Sequence, residues 1–147
     1  MLVLHDRPLG EIDPLVLYRI LRLRSEVFVV EQACVYLDPD GRDLEPAARQ
    51  LWLEDDGGEV VATARVLVDG DAHRIGRIAT AAARRGTGLA ARLVEHFLAS
   101  YRGPWRLDAQ TQLTGWYEAF GFEVAGPEYD DDGILHVPMV RRSEPPR

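Results

Sequence analysis

The sequence is poor in cysteine and in long apolar runs. Cys34 is the single cysteine among 147 residues and has no partner for an internal disulfide, which favours a reducing cytoplasm. The amino terminus has no basic stretch that leads into an apolar segment, so we expect no signal peptide. No apolar run approaches the ~20 residues that cross a bilayer. We therefore predict a cytoplasmic protein that does not bind membranes.

The chain also has few basic residues relative to its acidic ones. Lys and Arg number 17 against 24 Asp and Glu, and the formal net charge is −7. A general nucleic-acid-binding protein carries a basic surface, so this balance argues against nucleic acid as a partner. An acidic surface is compatible with cationic or amine substrates, although it also serves solubility alone.

Length and patterning predict one domain, which we assign to residues 1–147, with a frayed tail over residues 142–147. Asp13-Pro14 indicates a helix start, and apolar residues at helical spacing extend that helix to Phe28. Three extended segments separated by turn signals follow, and a second amphipathic helix begins near Leu89. The resulting order, β-α-βββ-α-β-α-ββ, predicts an α+β fold with a mixed, mostly antiparallel sheet.

A glycine-bearing stretch, residues 85–90, stands directly before the second helix. Amides at a helix amino terminus lack intrahelical partners, and glycine lets an anion approach them without meeting a Cβ atom. The stretch therefore predicts a phosphate-binding loop, and the alternative is a loop that merely turns the chain. Gly86, Gly88 and Ala91 also fit the dinucleotide pattern G-x-G-x-x-G/A, with Asp108 as the ribose-binding acid. A dinucleotide-binding oxidoreductase or regulator is thus a second hypothesis.

Two motifs resemble landmarks of the GNAT (GCN5-related) N-acetyltransferases. "RGTGLA", residues 85–90, resembles their pyrophosphate loop, and "QTQLTGWYEAFGF", residues 110–122, resembles their helix with an aromatic-Tyr pair before Gly-Phe. Residues 21–43 and 129–139 are similar to the ElaA-like branch of that family. Together these stretches imply a GNAT-type fold over nearly the whole chain.

The sequence departs from the family pattern at four positions. Gln110 stands where many members have asparagine, and Ala90 stands where glycine is commoner. Gln50 takes the place of a usual histidine, and Leu135 takes that of a proline. The first two departures concern the cofactor side, and the last two concern the acceptor side.

The resemblance implies acetyl-CoA as cosubstrate and no metal. The pyrophosphate would bind the loop amides, and the pantetheine arm would lie beside the strand that ends at Thr80. An amide near Ile78 or Ala79 would polarise the thioester carbonyl. The implied cofactor-binding residues are Ile78, Ala79, Thr80, Arg85, Gly86, Thr87, Gly88, Leu89, Ala90 and Gln110.

The resemblance also makes Tyr117 the acid that protonates or hydrogen-bonds the departing thiolate; the alternative is a core tyrosine packed beneath Phe122. The attacking amine must first lose a proton, since an alkyl ammonium has a pKa of ~10.4. We prefer Glu31 as the base, because a carboxylate amid "VFVVEQ" is expected to have a raised pKa. His136, in an apolar strand, is the reserve candidate. Cys34 is expected to be a buried apolar residue and not an acyl carrier.

The acidic stretches are not expected to bind metal. Residues 38–45 do not match the EF-hand spacing, and residues 130–132 most simply form a solvated turn. The expected partners are acetyl-CoA and an amine, either a small molecule or a protein amino group. The identity of that amine and the formation of a homodimer are left open. A non-catalytic CoA-binding module is the third hypothesis.

Overall fold

The computed structural model describes residues 1–143, so residues 144–147 of the predicted tail lie outside the described residues. The strands are β1 (Val3–Arg7), β2 (Arg49–Glu54), β3 (Val60–Asp69), β4 (Ala72–Thr80), β5 (Trp105–Gln110), β6 (Glu123–Val124), β7 (Tyr129–Asp131) and β8 (Ile134–Arg141). The α-helices are α1 (Pro14–Arg24), α2 (Leu89–Ser100) and α3 (Thr114–Glu118), and a π-helical segment, Ser25–Glu31, continues α1.

The described strands form one sheet in the order β1-β2-β3-β4-β5-β8-β6, with β7 paired to β8. Every neighbouring pair is antiparallel except β4 and β5, which are parallel. The predicted α+β class with a mostly antiparallel sheet is confirmed. The order of the elements also matches the prediction, with β7 as an additional short strand.

Helices cover both faces of this sheet. On α2, the apolar residues Leu89, Leu93, Val94 and Phe97 are buried in one core cluster that includes Leu51 of β2. The helix α1 packs in a second cluster that includes Trp52, the next residue of the same strand. Because successive strand residues point to opposite faces, the two clusters lie on opposite sides of the sheet.

The first helix begins as predicted but changes geometry before its end. The Asp13 carboxylate accepts a hydrogen bond from the Leu15 amide at 2.9 Å, and Pro14 occupies the first helical position. The α-helical geometry ends at Arg24, and the chain continues as a π-helix to Glu31. The helix predicted to Phe28 is thus α-helical only to Arg24, and its remainder is π-helical. β-Branched valines are frequent in this segment, and such residues crowd a regular α-helix.

The turn before β8 is shorter than predicted. Asp130 and Asp131 are not turn residues, because they pair with Leu135 and Ile134 of β8. Only Asp132 and Gly133 connect the strands, and both have positive φ, +52° and +86°. Two central residues with positive φ make the tight hairpin turn whose twist matches that of paired strands.

The sheet divides between its two parallel strands. β4 and β5 pair only at His73 with Trp105 and at Arg74 with Arg106. Further along, β4 stays paired with β3 and β5 stays paired with β8, so the two halves of the sheet diverge. The divergence opens a cleft inside the sheet, bounded by the carboxyl-terminal halves of β4 and β5.

Candidate active site

A cavity of about 550 Å³ occupies this cleft. Ile75 and Ile78 line it from β4, and Leu107 and Gln110 line it from β5. Two predicted catalytic residues, Tyr117 and His136, also line it. The remaining lining residues are Phe28, Gln32, Cys34, Tyr36, Asp40, Arg42, Arg65, Leu67, Asp69, Arg74, Gly76, Arg77, Asp108, Leu113, Tyr129, Asp131, Asp132 and Ile134. A concave site of this size, with apolar walls and a few polar groups, is typical of a small-molecule pocket.

The edge of β4 along the cleft is distorted by a bulge. Arg77 and Ile78 together oppose the single residue Ala64 of β3, since the pairing steps from Gly76 to Ala79. Arg77 has φ +50°, a conformation that is uncommon outside glycine. The bulge turns the backbone at the position where sequence resemblance expects the thioester carbonyl.

The glycine loop leads from the end of β4 into α2. Gly86 and Gly88 both have positive φ, +77° and +83°, and a Cβ atom at either position would meet nothing within 4 Å. Among residues 1–143, the backbone N–H groups of residues 86–90 have no hydrogen-bond acceptor. Glycine is therefore required by the conformation of the loop, and the loop presents free donors at the positive end of the α2 dipole.

Arg85 of this loop is held by Glu31. Its Nη1 and Nη2 atoms donate to the two carboxylate oxygens of Glu31 at 2.5 and 2.6 Å. The hydrogen bond from Arg85 lowers the pKa of Glu31, so the predicted raised pKa is wrong. Glu31 does not line the cavity, and its side chain is 44% exposed. The two residues are 54 positions apart, which is why local sequence gave no sign of the pair.

Tyr117 lines the cavity and is held among aromatic rings. Its side chain is 8% exposed and packs edge-to-face against Trp116 and Phe122, with ring centroids 4.9 and 6.3 Å away. Burial raises the pKa of Tyr117 to about 12, so the phenol is protonated at neutral pH. Its hydroxyl has no hydrogen-bond partner among the described residues. The hydroxyl is therefore free to donate to a ligand.

His136 lies across the cavity on β8. Its Nδ1 atom is 2.8 Å from the Ile134 carbonyl oxygen, and a carbonyl only accepts hydrogen bonds. The proton of the neutral ring therefore belongs on Nδ1, and the Nε2 lone pair is left free. The imidazole also stacks on Tyr129, with centroids 5.9 Å apart, which fixes its orientation. A free lone pair on a fixed ring is suited to accepting a proton.

A buried network of ion pairs forms the wall behind the cavity, and no local motif pointed to it. Arg24, 1% exposed, donates to Asp38 and Asp43 at 2.8 Å each. Gln50, the residue that departs from the family pattern, donates to Asp43 at 2.8 Å and does not line the cavity. Arg65 donates a hydrogen bond to the Asp40 carboxylate at 2.8 Å. Burial alone would raise the pKa of Asp40, but this hydrogen bond opposes the effect of burial, and the pKa is lowered to about 2. The network fixes the loop that follows the π-helical segment.

Three further predicted residues have defined surroundings. Asp108 pairs with Arg74 at 2.5 Å inside the cleft. Cys34 is buried as predicted, and its thiol donates to the backbone oxygen of Asp132 at 3.3 Å. Leu135, the second acceptor-side departure, is exposed and is not a lining residue of the cavity. Neither acceptor-side departure therefore changes the cavity wall directly.

Residues 1–143 contain no group of three or more His, Cys, Asp or Glu side chains arranged to hold a metal ion. No helix in the same range is both long and apolar enough to cross a membrane.

An open sheet that divides between two parallel strands, with a glycine loop between the first of them and the following helix, defines an acyl-CoA N-acyltransferase fold. Crystal structures agree. An acyl-CoA N-acyltransferase from Pseudomonas aeruginosa superposes with a TM-score of 0.86 at 32% identity, covering 96% of this chain and 99% of that one. The crystal structure of Escherichia coli ElaA superposes with a TM-score of 0.85 at 35% identity, covering 97% and 100%. The fold therefore places this protein among the acyltransferases.

Sequence comparison gives the family. The model of the acetyltransferase (GNAT) domain matches residues 32–143. ElaA of E. coli is 36% identical in an alignment of 151 positions, which covers 96% of this chain and 97% of ElaA. A UPF0039 protein of Mycobacterium tuberculosis is 47% identical over 136 residues, 89% of this chain and 87% of the relative. The chain belongs to the GNAT acetyltransferase family, in its ElaA-like branch. The doubly wound dinucleotide fold is excluded, because β4 is antiparallel to β3.

Proposed function

We propose that the protein is an acetyl-CoA-dependent N-acetyltransferase that moves the acetyl group directly to an amine. The observation that carries this proposal is the cleft itself. A protonated, unpartnered Tyr117 hydroxyl faces a cavity between diverging strands, and unpaired amides of residues 86–90 begin the next helix. The Tyr117 hydroxyl is suited to a departing thiolate, and the amides of residues 86–90 are suited to a diphosphate.

The cofactor side follows from residues 78–90. The free amides of residues 86–90, together with the guanidinium of Arg85, provide donors and positive charge for the diphosphate. The edge of β4 at Ile78, Ala79 and Thr80 would pair with the amide groups of the pantetheine arm, as an added strand does. A backbone amide at the bulge would hydrogen-bond the thioester oxygen as negative charge develops there. Gln110, at the end of β5, lines the opposite wall.

The acceptor side supplies the base. The Nε2 atom of His136, directly or through one water, takes a proton from the acceptor ammonium, and the neutral nitrogen then attacks the acyl carbon. A C–N bond forms and the C–S bond breaks, so that the amide and the CoA thiol are the products. We propose His136 for this role in preference to Glu31, because Glu31 is engaged by Arg85 outside the cavity.

Tyr117 acts on the leaving sulfur, and its pKa limits how. Complete proton transfer from a phenol of pKa about 12 to a thiolate whose acid has a pKa of ~8.5 is uphill by about 5 kcal/mol. Donation of a hydrogen bond carries no such cost. We therefore propose that Tyr117 stabilises the developing thiolate by a charge-assisted hydrogen bond, and that the sulfur takes its final proton from solvent or from the base.

The test is release of free thiol from acetyl-CoA across a panel of amines. Tyr117→Phe removes only the hydroxyl and is expected to lower kcat by about 10- to 100-fold, the worth of a hydrogen bond to a charged group. Tyr18→Phe is the matched control, since Tyr18 is exposed on α1 and does not line the cavity. Unchanged kcat in Tyr117→Phe would remove the tyrosine from the mechanism. Binding of acetyl-CoA without thiol release for any amine would instead indicate a non-catalytic module.

A further inference from the structure

We infer that the acceptor is an alkyl amine with a second positive charge, a diamine or polyamine, whose distal ammonium binds Asp131 and Asp132. The inference rests on the proposed function, since it assigns the acceptor of that reaction. Both aspartates line the same cavity as Tyr117 and His136. The cavity is a ligand site independently of these carboxylates, because Tyr117, 8% exposed, lines it and its hydroxyl has no hydrogen-bond partner among the described residues.

The positive charges of the cavity are already neutralised by the protein. Four arginines line it, and each forms ion pairs with two carboxylates. The arginines are Arg42, Arg65, Arg74 and Arg77, and their partners are Asp38, Asp40, Asp43, Glu45, Asp69 and Asp108. An acceptor that carries a carboxylate or phosphate would have to compete with these partners. The cavity is therefore poorly suited to an anionic acceptor.

The negative charges of the cavity are not all neutralised. Within residues 1–143, neither Asp131 nor Asp132 forms an ion pair, and both are exposed at the mouth of the cavity. The hairpin that carries them is fixed in two ways: Asp131 pairs with Ile134 in the strand, and the Cys34 thiol donates to the Asp132 backbone oxygen. The two carboxylates therefore stand on a fixed hairpin and have no cationic partner among the described residues.

The distance from this site to the base suits a short dication. On β7 and β8, Tyr129 pairs with His136, and Asp131 pairs with Ile134, two residues further along each strand. Asp131 is therefore the diagonal neighbour of His136 across the two strands, and side chains in that relation lie about 7–8 Å apart. One nitrogen of a short diamine can therefore lie at His136 while the other reaches Asp131.

This separation also serves the chemistry. A carboxylate beside the attacking nitrogen would raise the pKa of that nitrogen and keep it protonated. With the carboxylates one pleat away, the distal nitrogen stays charged and is held, while the proximal nitrogen gives its proton to His136. The proximal nitrogen then forms the C–N bond as the C–S bond breaks, and the product is an acylated monocation plus the CoA thiol.

The test compares putrescine with butylamine, which have the same carbon chain and differ by the second ammonium. We expect kcat/KM to be at least about fivefold higher for putrescine at low ionic strength, with the advantage shrinking as salt is added. Asp131→Asn and Asp132→Asn should each lower the putrescine-to-butylamine ratio of kcat/KM by about two- to fivefold, as for an exposed ion pair. Asparagine is tolerated at the positive φ of residue 132.

Glu95→Gln is the matched control, since it removes one negative charge from α2 at a residue that does not line the cavity, and the ratio should stay at its wild-type value. Equal kcat/KM for the two amines in the wild type would overturn the inference while leaving the proposed function intact. Absence of thiol release with every amine would contradict the proposed function. Calorimetric titration of putrescine with CoA present would then decide the inference: weaker binding in the Asp131→Asn/Asp132→Asn variant supports it, and equal binding refutes it.

Discussion

Replacing Glu31 with glutamine separates two roles for this residue, a catalytic base and a competitor for Arg85. Glu31 binds both terminal nitrogens of Arg85, the arginine of the glycine loop, at 2.5 and 2.6 Å. A diphosphate that binds the loop must share that guanidinium or take it from Glu31. Glu31→Gln weakens the competing pair, so we expect tighter binding of acetyl-CoA and an unchanged kcat.

The size of the effect follows from exposure. Both side chains are 44% exposed, so solvent screens the pair and its net worth is about 0.2–1 kcal/mol. The Kd and KM for acetyl-CoA should therefore fall by a factor of up to about five, and this gain should shrink at high salt. The pKa of Glu31 is lowered, so the pair is fully formed above the ordinary carboxyl pKa and weakens only as the pH falls through the lowered pKa. Assays at neutral and alkaline pH thus report one charge state.

The assay is steady-state thiol release with acetyl-CoA varied at saturating amine, together with calorimetric titration of CoA. Glu26→Gln is the control, because Glu26 pairs with Arg22 at 3.1 Å and forms no ion pair with the glycine loop within residues 1–143. A fall in kcat of tenfold or more with KM unchanged, or a changed pH–rate profile, would refute this reasoning and restore Glu31 as the base.

Three further changes test other parts of the structure. Gly88→Ala puts a Cβ atom at φ +83°, so it should lower the free energy of unfolding by about 1–2 kcal/mol in denaturant melts and also weaken CoA binding. Gly70→Ala is the control: residue 70 also has positive φ, +59°, in open surroundings, so this change should lower stability but leave CoA binding unchanged. Arg24→Ala removes the guanidinium that two buried carboxylates share, those of Asp38 and Asp43, and should lower the free energy of unfolding by about 3 kcal/mol or more. The exposed Arg22→Ala should cost under about 1 kcal/mol, and equal losses would contradict a buried network. His136→Gln should reduce kcat about 100-fold or more at neutral pH, with a smaller loss near the amine pKa of ~10.4; a pH-independent loss would argue against a base.

The same buried network predicts how acid affects the protein. Ion pairs and hydrogen bonds that exist only in the folded chain lower the pKa of Asp40 to about 2 and also lower the pKa of Asp43. The stabilisation from these carboxylates is complete above their ordinary pKa of ~3.9 and is lost as the pH falls through the lowered values. Unfolding monitored between pH 5 and pH 2 should show this loss, and Arg24→Ala should show less of it.

Features that depend on neighbouring residues could be predicted from the sequence. The Asp13 cap, the buried face of α2 and the hairpin order of β2 to β4 follow from short-range spacing, and all are present. The π-helical segment and β7 were missed because a short run of residues does not distinguish a π-helix from an α-helix, or a three-residue strand from a turn. The pKa of Glu31 was predicted with the wrong sign because its partner, Arg85, lies 54 residues away.

The two halves of the candidate site also differ in whether they depend on residues that are close together or far apart in the sequence. Apart from Gln110, the proposed cofactor side comes from one continuous stretch, residues 78–90, in which β4 ends, the chain turns at two glycines with positive φ, and α2 begins. Its chemistry is therefore local, and a short motif represents it. The acceptor side brings together the loop after the π-helical segment, β3, β5 and the hairpin of β7 and β8, so its charge balance is known only once the arginines have found their carboxylates. Because those pairings neutralise the arginines and omit Asp131 and Asp132, the acceptor proposed here could be inferred only from tertiary structure, whereas the acyltransferase class was already predicted from the sequence.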